Sequence, residues 1–306
     1  MKTLLFWPAL ILSIIGIATA ACGKGDDAPG TGDGAAKLNV VATTVQITAL
    51  AREVGGDKID LHGIIPAGAD AHEYEPTASD LRAVEGADVI LRHGMGLDDW
   101  IEDTLGAGDV EPVTVTEGIT VQKGEEDGET IDDPHVWHDP TNDKVIVGNI
   151  AEALGAADPD NKSAYDANAA AYKQTLDETR DQVQAIINEI PEENRKLVTN
   201  HDAFGYFARA FGLEVVGAVI PSVSTGSEPS AEDTAALLDT IEREGVKAIF
   251  AESSVNPGLA TTLANDAGVT IVDDLYGDSL GEPGSGADTV HGMLLANARK
   301  IADALK

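Results

Sequence analysis

Three short polar stretches each carry a histidine and a fourth carries an aspartate: DAHEYEP with His72, DPHVWHDP with His135, VTNHDAF with His201 and LYGDSLG with Asp278. Imidazole nitrogen and carboxylate oxygen are the natural ligands of a borderline divalent cation such as zinc. If folding gathers the four, the chain holds a metal ion. Two of the positions have local rivals. His138 lies three residues after His135, between Pro134 and Pro140, which favour extended or turning backbone. On extended backbone, positions three apart face opposite ways, so one of the pair meets the site and not both, while Trp137 packs inward. Asp273 and Asp274 compete with Asp278. Glu252, ending the run VKAIFAE, is placed to orient a bound imidazole, and His93 takes a structural role. His62 and His291 fall outside the set.

The elements that must position these residues follow from apolar periodicity. In the first part of the chain LNVVATT, KIDLHGII, ADVILRHG and VEPVTVTEG read as strands, with helices at VQITALAREVGG, SDLRAVEGA (capped by Thr77) and LDDWIEDTLG. PTNDKVIVGNIAEALG is a helix with Asp139 as cap and Pro140 at its first position. From Asn161 to Ile190 an apolar stripe through Tyr165, Ala169, Tyr172, Leu176, Val183 and Ile187 predicts one helix about 45 Å long, stopped by Pro191. Beyond it RKLVTN, LEVVGAVI, VKAIFAES and VTIVDDLY are strands. AFGYFARAFG, SAEDTAALLDTIEREG and NPGLATTLANDAG are the helices between them, and a final helix begins near Asp288.

Repeated strand–helix units need crossover connections, so the expected fold is α/β: two lobes, each a four-stranded parallel sheet flanked by helices, joined by one long helix. The expected boundaries are residues 38–158 for the first lobe, 159–190 for the bridging helix and 191–306 for the second. His72, His201 and Asp278 all follow strands, and ligands of open parallel sheets bind beyond strand carboxyl ends. His72 and His135 then belong to one lobe, His201 and Asp278 to the other. The segment Glu125–Asp133 reads as a solvated acidic loop, with some capacity to gather cations weakly.

The formal net charge of −33 excludes a basic nucleic-acid face and keeps the chain soluble. Residues 1–21 have the charge, apolar run and small residues of an export signal. Cys22, the single cysteine, follows at once and resembles the lipid-attachment position of a bacterial lipoprotein box, although Thr19 stands where Leu or Val is usual. Residues 22–37, rich in Gly and Asp, form a flexible leash behind it. No intramolecular disulfide is possible, and no thiolate enters an internal metal site. No GxxxxGK[ST] loop, EF-hand pattern, HExxH helix or GxSxG elbow occurs.

In order along the chain, HEYEPTASDL, ADVILRHGMGLDDWIE, DPHVWHDPTND, VTNHDAFGYFARAFGL, GSEPSAEDTAAL, FAESSVNPGLATTLA and LYGDSLG resemble the solute-binding lipoproteins of bacterial ABC transporters for zinc and manganese. The likeness spans nearly everything after the leash. It implies two α/β lobes bridged by a rigid helix, with the metal between them held by His72, His135, His201 and Asp278. The family usually has leucine where this chain has His138. Manganese carriers commonly have glutamate at the third ligand position, so His201 leans toward zinc. The resemblance further implies capture of Zn(II) outside the membrane, delivery to an ABC permease, no enzymatic activity, a monomer, and lipid anchorage through Cys22. The alternatives are a Mn(II) or Fe(II) carrier of the same fold, a zinc hydrolase in which water replaces one ligand, or an adhesin that needs no metal.

Overall fold

The computed structural model describes residues 37–106, 110–126 and 128–306. The export signal, Cys22 and the leash up to Ala36 lie outside them. β1 (Leu38–Ala42), β2 (Ile59–Gly63), β3 (Val89–Arg92) and β4 (Val113–Thr114) form a sheet in the order β2-β1-β3-β4. Every pairing in it is parallel, with Leu38 opposite Ile59 and Ala42 opposite both Gly63 and Leu91. A second parallel sheet contains β7 (Lys196–His201), β8 (Glu214–Ile220), β9 (Ala248–Glu252) and β10 (Thr270–Leu275), in the order β10-β9-β7-β8. The central strands β7 and β9 are buried almost end to end, as apolar runs covered on both faces must be.

The helices are α1 (Val45–Gly55), α2 (Ala78–Glu85), α3 (Trp100–Thr104), α4 (Pro140–Ala157), α5 (Lys162–Ile187), α6 (Gly205–Phe211), α7 (Ala231–Glu244), α8 (Gly258–Ala267) and α9 (Val290–Leu305). Their starts are written locally. Thr77 and Ser230 make reciprocal capping boxes with Asp80 and Asp233, and Asp139 caps α4 with Pro140 in its first turn. The long helix α5 buries Tyr165, Ala169, Tyr172, Leu176, Thr179, Val183 and Ile187 along one stripe and links the two halves. Its 26 residues span about 39 Å. Ile190, expected in the helix, lies buried just past it in a tight turn before Pro191. α9 returns along α5, where Tyr172 Oη and His291 Nδ1 are 3.1 Å apart, and one apolar core runs through both halves by way of these two helices. No helix among the described residues is long and apolar enough to cross a membrane.

On either side of His135 the structure departs from or narrows the sequence expectation. The expected acidic loop is an antiparallel hairpin, β5 (Lys123–Glu126) and β6 (Glu129–Asp132), pairing Lys123 with Asp132 and Glu126 with Glu129. The stretch around Trp137, expected to be extended or turning, is a single 3₁₀ turn over Val136–His138.

Candidate metal centre

The second half supplies its two groups from strand ends. His201 is the last residue of β7 and fully buried. Its Nδ1 lies 2.6 Å from Oε1 of Glu252, the last residue of the neighbouring strand β9. Asp278 follows three residues after β10, and its backbone N–H donates to the other Glu252 oxygen at 3.1 Å. Gly277 must be glycine here, because a Cβ would overlap the Glu252 carboxylate. The first half braces the same loop from the opposite side. Gln46 Nε2 donates to Asp278 O at 2.9 Å, and Trp137 Nε1 donates to Gly277 O at 2.9 Å.

The first half supplies its groups from connecting segments. His135 is fully buried and enters the 3₁₀ turn. Asp133 Oδ1 accepts from its backbone N–H at 2.9 Å and lies 2.8 Å from its Nδ1. In the neutral ring, Nδ1–H donated to that carboxylate leaves Nε2 as the lone-pair donor facing inward. His93 Nε2 sits 2.8 Å from Pro134 O and its ring packs edge-on against Trp137, which fixes the turn from behind. His72 lies between β2 and α2, with its backbone N–H donating to Asp70 Oδ1 at 3.0 Å.

These four side chains converge. One donor atom from each of His72, His135, His201 and Asp278 lies within 4.8 Å of all the others. His135 Nε2 is 3.4 Å from His72 Nε2 and 3.2 Å from His201 Nε2. Asp278 Oδ1 is 3.2 Å from His135 Nε2, and Oδ2 is 3.4 Å from Nε2 of both His72 and His201. Ligands at Zn–N distances of about 2.0–2.1 Å stand about 3.3 Å apart at the corners of a tetrahedron, the spacing found here. Both Asp278 oxygens have no hydrogen-bond partner although fully buried, which suits a carboxylate waiting on a cation.

Burial and charge set the protonation of the site. Burial disfavours a charged His135, but the carboxylates of Asp133 and Asp278 outweigh it and hold the ring up to about 10. His201 is raised in the same way, with Glu252 and Asp278 overcoming burial. Burial would raise Asp278, yet the three imidazoles around it hold it well below the usual carboxylate range. His72 is lowered to about 4, because burial dominates the pull of Asp278.

The rival residues are elsewhere. Asp273 and Asp274 are exposed on β10. His138 is fully buried but turned away, stacked on Phe204 with ring centroids 4.7 Å apart, and neither ring nitrogen has a hydrogen-bond partner. Glu252 stands beside His201 as expected, whereas Asp133, its counterpart behind His135, looks in the sequence like no more than the end of an acidic loop. Its cue was available: an aspartate two residues before a histidine across a proline can close a turn onto that histidine's N–H.

Residues 40–304 match the family model described as ZnuA, zinc-uptake complex component A, periplasmic, and the chain belongs to this family of substrate-binding proteins of metal ABC transporters. The manganese ABC transporter substrate-binding lipoprotein PsaA of Streptococcus mitis is 34% identical over 311 residues, covering 97% of this chain and 96% of that protein. The manganese-binding lipoprotein MntA of Halalkalibacterium halodurans is 32% identical, covering 97% of each. Among solved structures, the periplasmic zinc-binding protein TroA of Treponema pallidum superposes with a TM-score of 0.81 at 33% identity, covering 88% of this chain and 99% of that one. The family is one of solute binders, not enzymes, and its cargo here is zinc or manganese.

Proposed function

We propose that this protein captures Zn(II) outside the membrane with His72, His135, His201 and Asp278 and delivers it to an ABC permease. The observation that carries the reading is the convergence of three imidazole Nε2 atoms and one carboxylate, drawn from both halves of the chain, at tetrahedral spacing. A nitrogen-rich N₃O shell suits zinc, whereas manganese prefers more oxygen. Four protein ligands also close the shell and leave no position for a reactive water, which favours a carrier over a hydrolase. Lipid attachment at Cys22 would keep the monomeric body near its permease, with the leash as tether.

Manganese is the competing cargo, because both Asp278 oxygens face the imidazoles and can bind through two bonds, and because PsaA and MntA carry manganese in their names. Elemental analysis of the purified protein, followed by competition between zinc and manganese, decides between them. Stoichiometric zinc that excess manganese fails to displace is expected. Preferential loading with manganese would overturn the zinc assignment, and zinc affinity unchanged in His201→Ala would overturn the ligand set.

A further inference from the structure

Two of the three imidazoles are held from behind within their own half of the chain: His135 by Asp133, two residues before it, and His201 by Glu252 on the adjacent strand. His72 has no such carboxylate against Nδ1 among the described residues. Its support runs through the backbone. Asp70 Oδ1 accepts the His72 N–H at 3.0 Å, and Asp70 Oδ2 accepts the hydroxyl of Thr225, 155 residues further on, at 2.8 Å. Thr225 belongs to the loop between β8 and α7 in the other half.

That loop is itself fixed to the His201 side of the site. Ser222 O accepts from the N–H of Asp202, the residue after His201, at 3.0 Å, and Ser222 Oγ accepts from Ser224 N at 3.1 Å. Val223 N–H donates to Glu125 O of the β5–β6 hairpin at 3.0 Å. One residue past Thr225, a Cβ on Gly226 would come within 2.6 Å of Glu73 Oε1, so the two loops lie closely against each other. A chain of contacts thus runs from the residue beside one histidine to the backbone of another, across the gap between the halves.

We infer that Thr225 is a positioning residue for the cargo metal, acting through Asp70 to hold His72 in the coordination shell when the two halves are together. The inference rests on the ligand set proposed above. Thr225 and Asp70 come from different halves, so this support for His72 lasts only while the two loops lie against each other. Outer partners of metal ligands typically change affinity 10–100-fold, and a partner acting through a backbone N–H belongs at the lower end, about tenfold.

The test is the rate at which zinc passes from the loaded protein to an excess of a chromogenic chelator. Thr225→Val keeps the shape of the side chain and loses the hydroxyl; its zinc is expected to leave about tenfold faster, with the melting temperature of the metal-free protein unchanged. Thr225→Ser is expected to restore the wild-type rate. In a His72→Ala background, adding Thr225→Val is expected to change nothing, which a general loosening of the fold could not reproduce. If His72→Ala releases zinc too fast to follow, the contrast between Val and Ser at position 225 decides alone. Wild-type protein that binds neither zinc nor manganese would overturn the functional reading and the relay with it. Wild-type protein that binds zinc, with Thr225→Val releasing at the same rate or with equal acceleration in both backgrounds, would overturn the relay only.

Discussion

The two sheets run their strands in the same spatial order. Counting within each half, the second strand lies at one edge, then come the first, third and fourth: β2-β1-β3-β4 and β8-β7-β9-β10. Their use of that scaffold differs. The second half places His201 on the last position of a central strand and Asp278 three residues beyond another, and Glu252 touches both. The first half places His72 and His135 in connecting segments, where no ladder fixes the backbone, and depends on Asp70, Asp133, His93 and contacts from the other half. A strand end inherits its position from the sheet. A residue in a connecting segment has to be held by side chains, and one of these, Thr225, arrives from the other half.

The largest effect should come from removing a ligand at a strand end. On the proposed ligand set His201→Ala takes away a metal bond and leaves Glu252 as a buried, uncompensated carboxylate, so zinc binding in a competition titration is expected to fall by about three orders of magnitude. An equal or larger loss for His72→Ala would contradict the contrast between the halves. One step down are the outer carboxylates, each expected to cost about 10–100-fold in affinity. Glu252→Ala should exceed Asp133→Ala, because Glu252 supports an imidazole and the Asp278 backbone together. Equal losses would show that the loop ligand is as well served as the strand ligand.

Much of this contrast was legible before folding. The strands came from apolar runs, and the ligand-bearing stretches stood out because imidazoles and carboxylates recur at strand ends amid turn residues. The hairpin β5–β6 was not legible as a strand pair, since Lys123–Asp132 has no alternation of apolar and polar residues. Its Asp127–Gly128 pair is nonetheless a hairpin cue, and Gly128 adopts φ 79°. The choice of His135 over His138 could be argued from facing directions, but the turn is 3₁₀ and not extended, because His93 and Asn142 capture the carbonyls of Pro134 and Val136. Thr225 and Asp70 carried no sequence cue at all. Their partnership exists only once two loops far apart in the chain lie side by side.

Acidity should weaken the hold on metal. In the metal-free protein His135, held up to about 10, carries a proton at neutral pH that the cation must displace, and the carboxylates of Glu252 and Asp278 raise His201 in the same direction. Affinity is therefore expected to rise with pH, by up to about tenfold per unit for each proton released. The metal-free fold moves the other way. Groups raised above their unfolded value add stability that is complete below the ordinary histidine range and is lost as pH climbs toward about 10. The rise in melting temperature on adding zinc should accordingly be larger at pH 9 than at pH 7. A shift that shrinks with pH would mean that His135 is neutral in the empty site.

The smallest predicted effect concerns the histidine that faces away. His138 is lowered to about 3, chiefly by burial, with both nitrogens unpartnered. A group lowered in this way contributes stability above its unfolded pKa near 6.5 that is lost as pH falls from there toward about 3. His138→Leu removes two buried polar atoms that cost about 1–3 kcal/mol and gives up a ring stack on Phe204 worth about 0.5–1.5 kcal/mol. The net is a gain near 1 kcal/mol, or a rise on the order of 2–4 °C in melting temperature at neutral pH. Between pH 6 and 4 the metal-free variant should lose stability less steeply than wild type, with zinc affinity unchanged at pH 7. If His138→Leu weakens zinc binding tenfold or more, the ring stacked on Phe204 turns toward the metal in the loaded protein, and the division of labour between the two histidines of the 3₁₀ turn is wrong.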